Sequence, residues 1–120
     1  MKIAYITHPI SGDVKRNLNK IAQIARKINL EEPEVIPFAP YYVDCFALHD
    51  GIDVERERGI KNDITLIKKG FIDEIRLYGD NISKGMATEI NLAIGLDIPI
   101  VPMTIDTKSQ YRKRWYWNIT

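Results

Sequence analysis

Strand-like and helix-like stretches alternate along the whole chain, and this alternation limits the fold more than any other feature. Lys2-Ile-Ala-Tyr-Ile-Thr7 is a β-branched, mostly apolar run of the kind buried in a parallel sheet, and it stops at His8-Pro9. A Gly-containing turn, Ile10 to Asp13, leads into a helical pattern carried by Val14, Leu18, Ile21, Ala22, Ala25 and Ile28, with Asp13 suited to its start and Lys27 to its end. Glu34 to Phe38 reads as a second strand, placed toward a sheet edge or cut short because Pro37 cannot donate to a ladder. A second helix is expected over Val54 to Lys69, with Ile60, Ile64 and Ile67 inward and Gly70 ending it. Asp73 to Tyr78 and Ile98 to Pro102 supply two more strands, and Asn81 to Gly95 carries a helix between them. The pattern predicts an α/β fold: a three-layer α/β/α sandwich on a parallel sheet of four to five strands, flavodoxin-like or Rossmann-like.

Composition narrows the partners. The 120 residues carry a net charge of +1 with both signs dispersed, which nominates neither nucleic acid nor an anionic membrane. No apolar run approaches a membrane span and the N-terminus enters a strand at once, so a cytoplasmic protein is expected. Cys45 is the single cysteine, which excludes an internal disulfide; it is expected to pack as a small hydrophobe. Ala39 to Gly51 is long and aromatic for a connection, as a binding loop would be, although its aromatics are also suited to a small core beneath it.

Chemistry concentrates in Ser83-x-Gly85-x-x-x-Glu89. Helical spacing sets Glu89 against an apolar stripe of Met86, Ile90, Ala93 and Ile94, an unusual place for a solvated acid. Its position near a helix start is expected to help keep it ionised. In a parallel sheet, ligands bind beyond the carboxyl ends of the strands, and His8 to Asp13, the aromatic stretch and Ser83 to Glu89 all fall there. Neither a Gly-rich dinucleotide fingerprint nor a P-loop is present.

Tyr5 in the first strand, Asp63 in the second helical region and the Ser83-to-Glu89 helix start together resemble the nucleoside 2-deoxyribosyltransferase superfamily. Its 2'-deoxynucleoside 5'-phosphate N-hydrolase branch and its short phage and bacterial members are the most similar. The resemblance spans residues 1–103 and leaves 104–120 as a basic, aromatic tail. It implies an N-glycosidase: Glu89 as nucleophile, Asp63 as the carboxyl that handles the proton of the departing base, and Tyr5 as the group that orients the nucleophile. Ser83 in place of an aspartate implies a 5'-phosphate, with Gly85 and Met86 beside it and His8, Ser11, Gly12 and Arg16 completing a substrate-binding set. No metal or cofactor is implied; a homodimer or larger homo-oligomer is.

Each assignment also has a purely structural reading. Tyr5 is equally a core aromatic, Asp63 a helix-start residue, His8 a turn closer, Ser83 and Gly85 caps, and Arg16 a solvated cation. Two other functions are consistent with the same residues: a nucleotide-sensing protein that turns nothing over, and a transferase that exchanges bases. Tyr111, Trp115, Tyr116 and Trp117 among basic residues suggest a lower-ranked single-stranded nucleic-acid binder, docking on the protein itself being the more ordinary role.

Overall fold

The computed structural model describes residues 1–113, and Trp115, Tyr116 and Trp117 lie outside them. Four strands, β1 (Lys2–Thr7), β2 (Val35–Phe38), β3 (Glu74–Leu77) and β4 (Ile100–Pro102), form one all-parallel sheet in the order β2-β1-β3-β4. Five helices accompany them: α1 (Val14–Glu31), α2 (Tyr41–Ala47), α3 (Asp53–Lys68), α4 (Lys84–Gly95) and α5 (Ile105–Lys113). The α/β sandwich expected from the alternation is the observed fold. β1 is flanked by strands on both sides and its central residues Ala4, Tyr5 and Ile6 are buried. Pro37 sits on β2, at the sheet edge, where a missing N–H leaves no partner strand wanting.

Register and pleat sort the residues onto two faces. Tyr5 pairs with Phe38 and Ile75, and Thr7 with Leu77, so these side chains share one face. Ile67 of α3 and Met86, Ala87, Ile90 and Ala93 of α4 join them in the larger core cluster. Ala4 and Ile6 face the opposite way, where Ile24, Ala25 and Ile28 of α1 pack with Val35. Glu74 and Arg76 also point to this second face and are buried.

Two charges can stay buried there because they are mutually satisfied. Arg76 Nε donates to Glu74 Oε2 at 2.6 Å, its terminal nitrogens grip both Glu32 oxygens at 2.9 Å, and Lys2 Nζ donates to Glu74 Oε1 at 2.7 Å. The fork ties the C-terminal end of α1 to β3. The Arg76 hydrogen bonds hold the Glu32 carboxyl below its ordinary range. At Glu74 burial favours the neutral acid, yet the Lys2 and Arg76 hydrogen bonds together outweigh it and lower the pKa.

Several local expectations are corrected. The aromatic stretch is not an irregular loop: Tyr41–Ala47 is helical, anchored by the buried Tyr41, and Tyr42 stacks edge-on with Phe46 one turn later. Ile60 is half-exposed, because α3 turns Gly59, Asp63 and Ile67 toward the protein and Gly59 leaves room for Leu48. Ile94 is exposed, and Ala87 takes its place on the buried face of α4. α1 continues past Lys27 to Glu31, and the third strand is shorter than Asp73 to Tyr78. Residues 104–113 are not simply a tail, since α5 packs against β4 with Thr107 fully buried. Gly70, with φ +84°, ends the α3 segment as expected.

Removing the Arg76 guanidinium leaves Glu74 Oε2 without its partner in a low-dielectric site, with Lys2 alone on the other oxygen. Arg76→Leu is expected to destabilise the fold by roughly 2–4 kcal/mol in urea titrations near neutral pH, and Glu74→Leu in the same chain to recover part of it. Since both partner carboxyls have lowered pKa values, this contribution is present above the ordinary carboxylate range and is lost as the pH falls below it, through the lowered values. Equal stability of Arg76→Leu and the parent protein would contradict this account.

Candidate functional site

The chain leaves β1 toward β2 on one side and leaves β3 toward β4 on the other, so the carboxyl ends of β1 and β3 border the topological switch of the sheet. The β1–α1 and β3–α4 connections meet there. Gly79 has φ +90°, and a Cβ on it would lie 2.6 Å from Pro9 Cδ; only glycine lets these two turns pack so closely.

On the face beneath, three acidic side chains approach one another from three elements. Thr7 Oγ1, at the end of β1, donates to Glu89 Oε1 of α4 at 2.5 Å. Tyr5, one pleat back on the same face, is completely buried, and its hydroxyl makes no well-formed hydrogen bond. Its phenol nevertheless interacts with the Glu89 carboxylate, each shifting the other's pKa. Asp63 reaches in from the third turn of α3, and its Oδ1 is buried without a partner. Tyr41 closes the cluster from α2: its hydroxyl donates to the Ile6 carbonyl at 2.5 Å and its ring lies 6.0 Å from that of Tyr5.

Desolvation dominates the electrostatics. It raises the Glu89 pKa to about 7 against the opposing hydrogen bond from Thr7 and the nearby Tyr5 phenol. It also raises Asp63 to about 7, with the Glu89 charge and then Asp44 adding to the shift. The expectation that the helix start keeps Glu89 ionised is therefore corrected: Glu89 lies beyond the first turn of α4, where unpaired N–H groups no longer reach it, and burial wins. Burial, then Glu89 and then Asp63, pushes the Tyr5 phenol well above its usual value, so it remains a proton donor. With both pKa values raised to about 7 and the Glu89 charge disfavouring ionisation of Asp63, one member of the pair is readily protonated while the other is ionised near neutral pH, which is the condition for one acid and one base or nucleophile in a single site.

Glu89, Asp63 and Tyr5 are thus brought together, and Asp63 is no helix-start residue. The other expected residues divide. Ser83 is the N-cap of α4 and its Oγ accepts the Met86 N–H at 3.2 Å. Gly85 is exposed on the first turn, whereas Met86 is buried in the core with its sulfur 3.5 Å from the Ser83 nitrogen. Ser11, Gly12 and Arg16 are exposed on the β1–α1 turn and the start of α1, with Gly12 at φ +97°. His8 is buried and its Nδ1–H donates to the Pro9 carbonyl at 2.7 Å, which is the turn-closing arrangement. Burial lowers its pKa and keeps the ring neutral.

Thr7 and Tyr41 were not singled out from sequence. Thr7 has a usable signal, its position two residues after Tyr5 on the same pleated face; Tyr41 has none beyond its aromaticity. Cys45 packs against the core, and burial followed by the Asp63 charge pushes its thiol up, away from a reactive thiolate. A groove of about 520 Å³ between α2 and α3 is lined by Asp44, Arg58, Lys61 and Asn62 among others, and includes neither Glu89 nor Asp63.

Among families of known sequence, one described as a domain of unknown function (DUF7768) matches residues 2–103. The chain belongs to the DUF7768 family. The DUF7768 region takes in all four strands and the whole carboxyl cluster, and ends just before α5. Neither the curated proteins nor the solved structures include a match.

A raised carboxyl pKa means the folded DUF7768 domain binds that proton more tightly than the unfolded chain does. Stability therefore falls as the pH rises from the ordinary carboxylate range through about 7. Glu89→Gln and Asp63→Asn are each expected to stabilise the protein by roughly 1–2 kcal/mol at about pH 8, with the gain vanishing near pH 4. Melting curves across that range check this, and a gain independent of pH would refute the shared-proton account.

Proposed function

We propose that this protein is an N-glycosidase of the deoxyribosyltransferase type, acting on a (deoxy)nucleoside 5'-monophosphate. The observation that carries the reading is the pairing of Glu89, held by Thr7 and faced by Tyr5, with a second desolvated carboxyl, Asp63. It is supported by the resemblance of Tyr5, Asp63 and Ser83-x-Gly85-x-x-x-Glu89 to that superfamily.

In the proposed reaction an ionised Glu89 oxygen attacks the anomeric carbon as the bond to the base breaks. Asp63, carrying the shared proton, donates it to the leaving base. The product of this step is a glycosyl ester on Glu89. Asp63, now ionised, takes a proton from water, whose oxygen displaces Glu89 from the anomeric carbon and returns the site to its starting state. A free base in place of that water gives base exchange. Tyr5, unable to ionise near neutrality, orients the Glu89 carboxylate by hydrogen bonding as the site closes on substrate, and Thr7 holds its other side.

The phosphate is assigned to the start of α4. There Ser83 presents a hydroxyl beside the unpaired N–H groups and positive dipole end of a helix. Ser11, Gly12 and Arg16, on the neighbouring turn, extend the same site. The resemblance further implies association into at least a dimer, which light scattering resolves.

Purified protein incubated with ribo- and deoxyribonucleoside monophosphates, with and without a free acceptor base, is expected to release base. Glu89→Ala should lower that release by at least about a thousandfold, and Asp63→Asn by roughly a hundredfold or more. The pH dependence should be bell-shaped around neutrality, because one carboxyl must be ionised while the other is protonated. Nucleotide binding without release, unaffected by Glu89→Ala, would replace the enzyme with a nucleotide sensor.

A further inference from the structure

The β3–α4 connection, residues 78–83, is held from outside by α5, a helix beyond the 2–103 family region. Thr104 precedes that helix and exchanges backbone-to-hydroxyl bonds with Thr107: Thr107 N–H donates to Thr104 Oγ1 and Thr104 N–H to Thr107 Oγ1, both at 3.1 Å. Thr104 Oγ1 donates to the Gly79 carbonyl at 2.8 Å. The Thr107 hydroxyl, 2.8 Å from Thr104 Oγ1, lies within 3.2 Å of the carbonyls of both Leu77 and Thr104. One turn further on, Gln110 Oε1 accepts the Ile82 N–H at 2.6 Å. The far side of the same connection rests on Pro9, and Ile82 is completely buried.

The connection ends in Ser83, the cap of α4, and α4 carries Glu89 to Thr7. A cap fixed at its start and a carboxylate fixed midway along it restrict the axial position of α4. We propose that Gln110, with Thr104, positions the site: α5 clamps the β3–α4 connection so that the start of α4 and the Glu89 carboxylate keep their places relative to β1. Gln110 acts through Ile82 and Ser83 and is assigned no contact with substrate.

The consequence for ligand binding rests on the function proposed above; the clamp itself does not. Gln110→Met keeps the length of the side chain and removes the acceptor, while Gln110→Glu restores an acceptor oxygen. In Gln110→Met the Ile82 amide is expected to exchange with deuterium about tenfold faster than in the parent chain, with the melting temperature little changed. KM for a deoxynucleoside monophosphate should rise roughly five- to tenfold with a smaller change in kcat, and Gln110→Glu should return both readings toward the parent values. Faster exchange with an unchanged KM would overturn the positioning role and leave a merely structural contact. Unchanged exchange would overturn the clamp. If the parent protein releases no base, the proposed function fails while the clamp is still decided, by the carbon chemical shift of the Glu89 carboxyl. That shift moves in Gln110→Met and returns in Gln110→Glu if α5 sets the site, and stays fixed in both if it does not.

Discussion

The hydrogen bond from Thr7 to Glu89 joins the central strand of the sheet to the helix that crosses behind it, and the rest of the site is arranged around that joint. Thr7 is immobile because β1 is flanked by β2 and β3 and its side chain is buried. Glu89 is placed by the packing of its own helix: Met86, Ala87, Ile90 and Ala93 press α4 into the core, and the carboxylate between them has Thr7 as its neighbour. Tyr5 and Asp63 then face a group whose position is already decided. Buried polar atoms without a well-formed hydrogen bond at Tyr5 and Asp63 are costly in a folded protein, and both lie beside the desolvated Glu89 carboxylate, which makes this cluster the candidate site.

The two faces of the sheet treat burial of charge in opposite ways. On the α1 face, Arg76 meets Glu74 and Glu32 with full hydrogen bonding, and the carboxyls are held ionised. On the α4 face, among the described residues, no ion pair reaches Glu89 or Asp63, and burial pushes both toward neutrality. The first arrangement holds the layers together across 44 residues of chain. The second destabilises the native state at high pH and makes a proton available near pH 7. One desolvation effect, with and without a counter-charge, thus separates the structural acids from the candidate catalytic ones.

Much of this was legible along the chain wherever a periodic pattern ran long enough. β1 was marked by its β-branched run and α1 by repeated apolar spacing, while α4 was marked by its Ser83 cap and apolar face; these gave the fold and the location of Glu89. The helix Tyr41–Ala47 was hidden because seven residues hold too little periodicity, and what orders them is Tyr41 reaching the carbonyl of Ile6, 35 residues earlier. The helical spacing of apolar residues points Ile60 and Ile94 inward, whereas Gly59 and Ala87, small residues with weak signals, occupy the buried sides. The pKa of Glu89 was read from its distance to a helix start, and the enclosing core reversed the sign. Thr104, Thr107 and Gln110 carry no apolar pattern at all, and their bonds to the β3–α4 connection exist only once the fold has formed.

A covalent glycosyl ester on Glu89 is the step that distinguishes the proposed chemistry from every other use of this carboxyl cluster. The most direct measurement is peptide mass spectrometry on protein mixed with a deoxynucleoside monophosphate and quenched within the first turnovers. The mechanism predicts a deoxyribose phosphate increment on the peptide that contains Glu89, present in Asp63→Asn and absent in Glu89→Ala. Base release without any adduct, or an adduct on a different residue, would contradict Glu89 as the nucleophile.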